Sequence, residues 1–333
     1  PQELVQDLLG RSKDLLDQLS EVGEARPDLR RSRAAALTEM SITLARQGDV
    51  AGAQATAGEA TGVFRSLAQT GKAAARADLA VGLDREGDIL VQAGDPQAAV
   101  DLYRDAHALN TALVAEDPRP GWRSNLAVSE EKIGDLAVLA VRHNDALSAY
   151  DRALDLLRGV DKTARGVAVL LEKRADVWVA VEDMEAALSG YLQSLAMTEA
   201  LTEQAVDDTR LVRDQSVIHQ KLGDLLLVVD GPQAAAPHFA ADLKIARRLH
   251  DADRGREDWA LDLGVSLDRY GVLQFRLDDL EQASGLLDDA FVLLSRWAED
   301  KPRRADLQRA ATKASQILRL VAFANGAVGG AAA

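Results

Sequence analysis

The sequence predicts an all-α fold, a solenoid of antiparallel helix pairs with about six repeats and one further helix at each end. Three observations predict it. Apolar residues recur at i, i+3, i+4 and i+7 along the chain, and no stretch shows the two-residue alternation of a strand. One stretch of sequence returns at steps of 41 to 48 residues. Of the 8 prolines, only Pro237 falls well inside an expected helix; the others sit at the chain start, in turns or in first helical turns.

Taken in order, the chain begins with an amphipathic segment, Glu3–Ser20, apolar at Leu4, Val5, Leu8, Leu9, Leu15, Leu16 and Leu19. Residues 1–27 are read either as the cap a solenoid needs or as the second helix of a repeat whose first helix is missing. Pro1 is not an initiating methionine and no signal-peptide pattern follows, which suggests a chain processed or cut from something longer. Residues 28–302 hold the six repeats. Their first helices align as DLAVGLDREGDIL from Asp78, NLAVSEEKIGDL from Asn125, GVAVLLEKRADV from Gly166, DQSVIHQKLGDL from Asp214 and DLGVSLDRYGVL from Asp262. A small anchor residue falls at Gly87, Gly134, Ala175, Gly223 and Gly271, with Ser41 in a weaker first copy.

The second helices keep the same register. Twelve residues after the anchor stands alanine in every copy: Ala53, Ala99, Ala146, Ala187, Ala235 and Ala283. Sixteen after it stands a large side chain, Tyr103, Tyr150, Tyr191, Phe239 or Leu287, with Ala57 as the exception. Turns are marked by Gly48-Asp49, Gly94-Asp95-Pro96 and Gly231-Pro232. A glycine inside a helix costs about 1 kcal/mol relative to alanine, so its return at one register implies close approach of the paired helix. The expectation is that the alanine packs on the glycine backbone while the large residue fills the space where the helices splay. The short 41-residue step from Gly134 to Ala175 predicts a tighter loop around Gly159–Thr163. Residues 303–322 are read as a C-terminal capping helix, and residues 323–333, rich in Gly and Ala, as a flexible tail.

This small–alanine–aromatic spacing, followed at +19 by Ala60, Ala106, Ala153, Ser194, Asp242 or Ala290, resembles the tetratricopeptide repeat (TPR), over roughly residues 28–300. The resemblance implies a right-handed superhelical solenoid with a concave groove that takes extended peptides or helices. The repeats here exceed the common TPR length, a long-unit form associated with bacterial signalling proteins. That association leaves three readings: a non-enzymatic scaffold for a peptide or protein partner, a sensor or autoinhibitory arm of a larger signalling protein, or a self-assembly module whose exposed solenoid end makes a homo-oligomer.

Composition narrows the field. The 39 basic and 53 acidic side chains leave a net charge of −14, which argues against nucleic acid as partner. The longest apolar runs, Ala137–Val141 and Leu225–Val229, fall far short of the roughly 18 residues of a membrane helix, and a cytoplasmic protein is expected. Zero cysteines exclude thiolate metal sites and cysteine nucleophiles. The 5 histidines show no metal-ligand spacing, and no phosphate-binding loop or nucleophile elbow occurs, so neither enzyme activity nor a cofactor is expected.

Four positions relative to the anchor share one face of the first helix, at −6, −3, +1 and +4. Position −6 is valine in Val81, Val128, Val169, Val217 and Val265; position −3 is Asp84, Glu131, Glu172, Gln220 or Asp268. Position +1 is Asp88, Asp135, Asp176 or Asp224, then Val272; position +4 is Val91, Val138, Val179, Leu227 or Phe275. If the resemblance holds, this face lines the groove as an apolar floor with two rows of carboxylates. A base recurs at −2, in Arg85, Lys132, Lys173, Lys221 and Arg269. The acids and bases then form either a ladder that sets the stacking register or a docking surface for a basic segment. A ligand carboxylate would be repelled.

Overall fold

A computed structural model of the chain describes Arg11 and residues 26–160, 163–302 and 304–331, with 324–331 by backbone alone. The helix expected at Glu3–Ser20 lies outside the described residues, Arg11 excepted. The described residues form thirteen helices and no strand. The chain divides between Thr163 and Ala164 into two compact units.

The first unit holds three antiparallel pairs: α1 (Pro27–Arg46) with α2 (Val50–Ala68), α3 (Ala73–Gln92) with α4 (Pro96–Glu116), and α5 (Pro120–Leu139) with α6 (His143–Leu157). The second holds α7 (Ala164–Ala180) with α8 (Met184–Gln204), α9 (Thr209–Val229) with α10 (Pro232–Ala252), and α11 (Glu257–Arg276) with α12 (Leu280–Asp300). It closes with α13 (Ala305–Ala331). Within each unit, successive helices pack as neighbours.

Local chemistry explains the turns inside the pairs. A residue in the left-handed region ends the first helix, at Gly48 (φ 81°) and Gly94 (φ 86°), where glycine carries no Cβ penalty. An aspartate follows as N-cap: Asp49, Asp95, Asp183 and Asp279 accept from the amides of Gly52, Ala98, Ala186 and Gln282. Pro237 lies inside α10, which continues through it.

Three details differ from the sequence expectation. The glycine at the anchor accommodates the large residue at +16 rather than the alanine at +12. A Cβ on Gly87 would stand 2.6 Å from Tyr103 Cε1, on Gly134 2.8 Å from Tyr150 Cδ1, and on Gly223 2.7 Å from Phe239 Cε1. The ring has the reach to lie across the facing helix, and the alanines at +12 are buried as well. In the repeat where the anchor is Ala175 the small residue has changed sides. Gly190 of α8 now faces it, and a Cβ there would meet Ala175 Cβ at 3.0 Å.

The short step is taken largely from a helix. α6 has 15 residues, whereas α2, α4, α8, α10 and α12 have 19 to 21. At the C-terminus, α13 runs on to Ala331 instead of ending at Ala322; its glycines disfavour a helix, but no proline stops it.

Candidate functional site

The recurring acids and bases of the first helices meet across repeats rather than along one helix. In the first unit, Lys132 Nζ of α5 reaches Asp88 Oδ1 of α3 at 2.6 Å. In the second, Lys221 Nζ of α9 lies 2.6 Å from both Glu172 and Asp176 of α7. Arg269 of α11 pairs with Asp224 of α9, and Lys313 Nζ of α13 lies 2.6 Å from Asp268 of α11. Of the bases at −2, Arg85 also binds the aspartate of its own helix, Asp88, at 3.3 Å. Helical side chains lean toward the N-terminus, so a base placed before its acid points away from it and reaches sideways more easily.

Where the residue at +16 is tyrosine, it joins the rung. The Tyr103 hydroxyl donates to Asp88 at 2.8 Å, Tyr150 to Asp135 at 2.8 Å and Tyr191 to Asp176 at 2.6 Å. Burial is the main reason that the phenols of Tyr103 and Tyr191 are held above their ordinary value, with the adjacent carboxylates adding to it. In these three pairs a tyrosine therefore ties the two helices together, while within each unit Lys132, Lys221 and Arg269 tie one pair to the next.

The −3 row is largely sealed inside. Asp84 is only 7% exposed, Asp268 is buried as well, and Glu172 is nearly so. These three, expected to face a partner, lie where successive first helices meet. Gln220 is half-buried and donates to Asp242 at 3.0 Å. Burial, reinforced by Asp88, pushes the Asp84 carboxyl up to about 7 against the opposing pull of Lys132, Arg85 and the Ser129 hydroxyl. Burial also raises Glu172, although Lys221 opposes it. For Lys221 itself burial works against the charge, but Glu172 and Asp176 outweigh it and hold the ammonium above its usual range.

Replacing Lys221 with methionine leaves Glu172 and Asp176 without their cation. We expect the midpoint of urea unfolding to fall by an amount equivalent to about 2 kcal/mol near neutral pH, discounted from the fully buried case because the rung is partly wet. Protonation of Glu172 removes much of the penalty, so the loss should shrink as the pH falls below its raised folded value. A loss independent of pH would show that the rung matters only through packing.

What remains open on this face are the ends of the stripe. Val81 and Val128 at −6 are 44% and 43% exposed, and Val138 and Phe275 at +4 are also exposed. Val91, Val169, Val179, Val217, Leu227 and Val265 are half-buried. At +1, Asp176 and Asp224 keep 42% and 52% of their side-chain surface. Glu131 and Asp135 both take part in polar interactions.

Several polar groups lay outside the sequence reading. A second ladder joins the helix starts: Arg31 to Asp78, Arg165 to Asp214 and Arg213 to Asp262, each through two guanidinium nitrogens. Its signal was present, since arginine recurs at −10 and aspartate at −9. Buried Glu130 accepts from Arg152 at 2.8 Å and lies 2.9 Å from His107. Burial opposes its ionisation, but these two partners hold the carboxyl below its usual range. His219 and His238 bring their Nδ1 atoms to 3.1 Å, and burial, followed by the neighbouring ring, pushes His219 down to about 4. Among the described residues no group of three or more His, Cys, Asp or Glu could hold a metal ion, and no helix is long and apolar enough to cross a membrane.

No known protein family matches the sequence, and no curated protein sequence matches it. Solved structures do resemble it in fold. BtubC (BKLC) from P. vanneervenii superposes with a TM-score of 0.61 at 20% identity, over 73% of this chain and 90% of that one. A Rap protein complexed with competence and sporulation factor gives 0.51 at 15% identity, over 91% and 74%. A signal transduction ATPase with a tetratricopeptide repeat sensor, from Pyrococcus horikoshii, gives 0.50 at 11% identity, over 98% of this chain and 49% of that one. With helix pairs, anchor glycines and +16 rings in one register, the chain has the fold of a TPR-type helical repeat protein.

Proposed function

We propose that the chain is a non-enzymatic interaction module that holds a protein or peptide segment on the face of its first helices, chiefly through the valine rows. The observation that supports this is the exposure of Val81 and Val128 at a repeated register. Valine is a poorer helix former than alanine, leucine or lysine, so the valine at −6, present in five repeats and exposed at Val81 and Val128, does nothing for the helix propensity of its own segment. It offers a stiff apolar surface that loses little side-chain entropy on contact.

The carboxylates are a weaker lure than their number suggests. In the second unit each acid of this face has a lysine or arginine as partner, and exposed pairs contribute about 0–1 kcal/mol. The half-exposed Asp176 and Asp224 still favour a second reading, in which basic groups of the partner compete for them.

The test is affinity capture from source lysate with wild type and a Val81→Glu/Val128→Glu variant, after both give the same helical circular dichroism. Partners lost by the variant support the valine-row reading, and an unchanged set sinks it. Retention by wild type that falls steeply with added salt favours the second reading, since screening acts over about 8 Å at physiological ionic strength. Charge reversal at Asp176 would be a poor probe. It removes the acceptor of Tyr191 and sets a cation against Lys221.

A further inference from the structure

The turn between α5 and α6 departs from its counterparts in two adjacent residues. In four of the other five turns inside the pairs the left-handed position is Gly48, Gly94, Glu182 or Asp278, and the next residue is a capping aspartate, Asp49, Asp95, Asp183 or Asp279. In the fifth, Gly231 holds the left-handed position and Pro232 follows without a side-chain cap. Here the left-handed residue is Val141, at φ 57°, and Arg142 follows without a side-chain cap. A β-branched residue is the least tolerant of that conformation, and the stabilising cap that aspartate supplies in four of the other turns is missing. Burial does not compensate, because Val141 is 72% exposed. Strain held at an exposed apolar side chain points to a use outside the fold.

Beside this turn a cavity of about 630 Å³ opens to solvent between α4 and α5. Val100, Ile133, Leu136 and Leu139 give it an apolar floor, with Leu139 56% exposed. Arg104 and Arg142 are its charged lining residues, and no carboxylate is among them. In a chain of net charge −14, a lining whose charged residues are both basic is locally unusual, although their own carboxylate partners stand just outside it. Asp101 and Asp145 pair with the two guanidiniums at 3.5 and 3.2 Å. Both pairs are solvent-exposed and exchange readily for another carboxylate.

We propose that this cavity docks a short segment of a partner protein carrying a large apolar side chain next to a carboxylate. The apolar group fills the space over Val100, Ile133 and Leu136, Val141 and Leu139 extend the contact outward, and Arg104 and Arg142 hold the acid. Guanidinium suits that task because it can bind a carboxylate through two parallel hydrogen bonds. The cavity uses a different side of α5 from Val128 and Val138, so this site stands or falls independently of the valine rows.

A displayed library of random peptides, selected on wild type, tests this directly. The counter-target is the Val141→Gly/Arg142→Asp variant, which restores the Gly-Asp turn seen at Gly48-Asp49 and Gly94-Asp95. Selected peptides should combine aspartate or glutamate with leucine, isoleucine or phenylalanine. They should bind the repaired variant and an Arg104→Glu variant at least about tenfold more weakly. The repaired variant should meanwhile unfold at a higher temperature than wild type, so that stability and binding move in opposite directions. Selection of basic or featureless peptides, no selection at all, or equal affinity for the repaired variant would overturn the site.

Discussion

Gly134→Ala is expected to destabilise the first unit by about 2 kcal/mol, although alanine is the better helix former. The new Cβ would stand 2.8 Å from Tyr150 Cδ1, and that ring has nowhere to go. It is buried, and its hydroxyl is committed to Asp135 at 2.8 Å. The ring must shift, which strains the hydrogen bond as well as the packing. The intrinsic gain of about 1 kcal/mol from replacing glycine offsets part of a larger overpacking cost. The contrast lies at Ala175, where the same register already carries a methyl group because Gly190 opposes it. Gly190→Ala alone should cost about 1–2 kcal/mol, and Ala175→Gly alone about 1 kcal/mol. The double variant restores one glycine to the contact and should cost less than the sum of the two, with a coupling of about 1 kcal/mol. Urea titrations of the three variants read this directly. Additive losses would show that the two positions do not share one contact.

That contrast marks how far the sequence could be read. The repeat register was legible because one steric demand, a small residue under a large one, returns in four copies, and the Ala175 copy keeps a small residue at the same position. Which residue the glycine receives was not, since +12 and +16 lie one turn apart on the same side of the second helix. Only the packed ring of Tyr103 or Phe239 distinguishes them. The candidate face shows a similar limit. Positions −6, −3, +1 and +4 do share a stripe, but a stripe uniform in angle is not uniform along the axis. Its middle is covered where Lys132 of α5 reaches Asp88 of α3, which takes Asp84 out of solvent. A spacing of three residues suggests a partner on the same helix. The actual partner lies some forty-five residues away, and only helix packing supplies it. Val141 was visible merely as the end of an apolar run. Its meaning depends on the backbone angle that glycine holds at Gly48 and Gly94.

Asp84→Asn is expected to stabilise the first unit by about 3 kcal/mol near pH 8 and to change little near pH 4. The buried carboxyl titrates at about 7 in the folded chain, against an ordinary value of 3.8. The folded state thus binds this proton more tightly than the unfolded state does. The stability it contributes is fully present below 3.8 and is lost as the pH rises through about 7. Desolvation is the largest cause, Asp88 adds to it, and Lys132, Arg85 and Ser129 oppose it from α5 and from its own helix. One of its oxygens, Oδ1, is buried without a hydrogen-bond partner, so ionisation leaves part of the charge unsatisfied. Asparagine has nearly the same shape and never ionises, which removes the penalty without opening a cavity. Unfolding midpoints of wild type and variant, measured from about pH 4 to about pH 8, should diverge as the pH rises. Parallel curves would place the Asp84 titration outside this range. Because Asp84 sits beside the rung from Lys132 to Asp88, its ionisation loads the contact between the second and third helix pairs. A partner held by Val81 on α3 and Val128 on α5 spans that same contact. The Asn variant should therefore hold such a partner with an affinity that no longer falls between neutral and mildly alkaline pH.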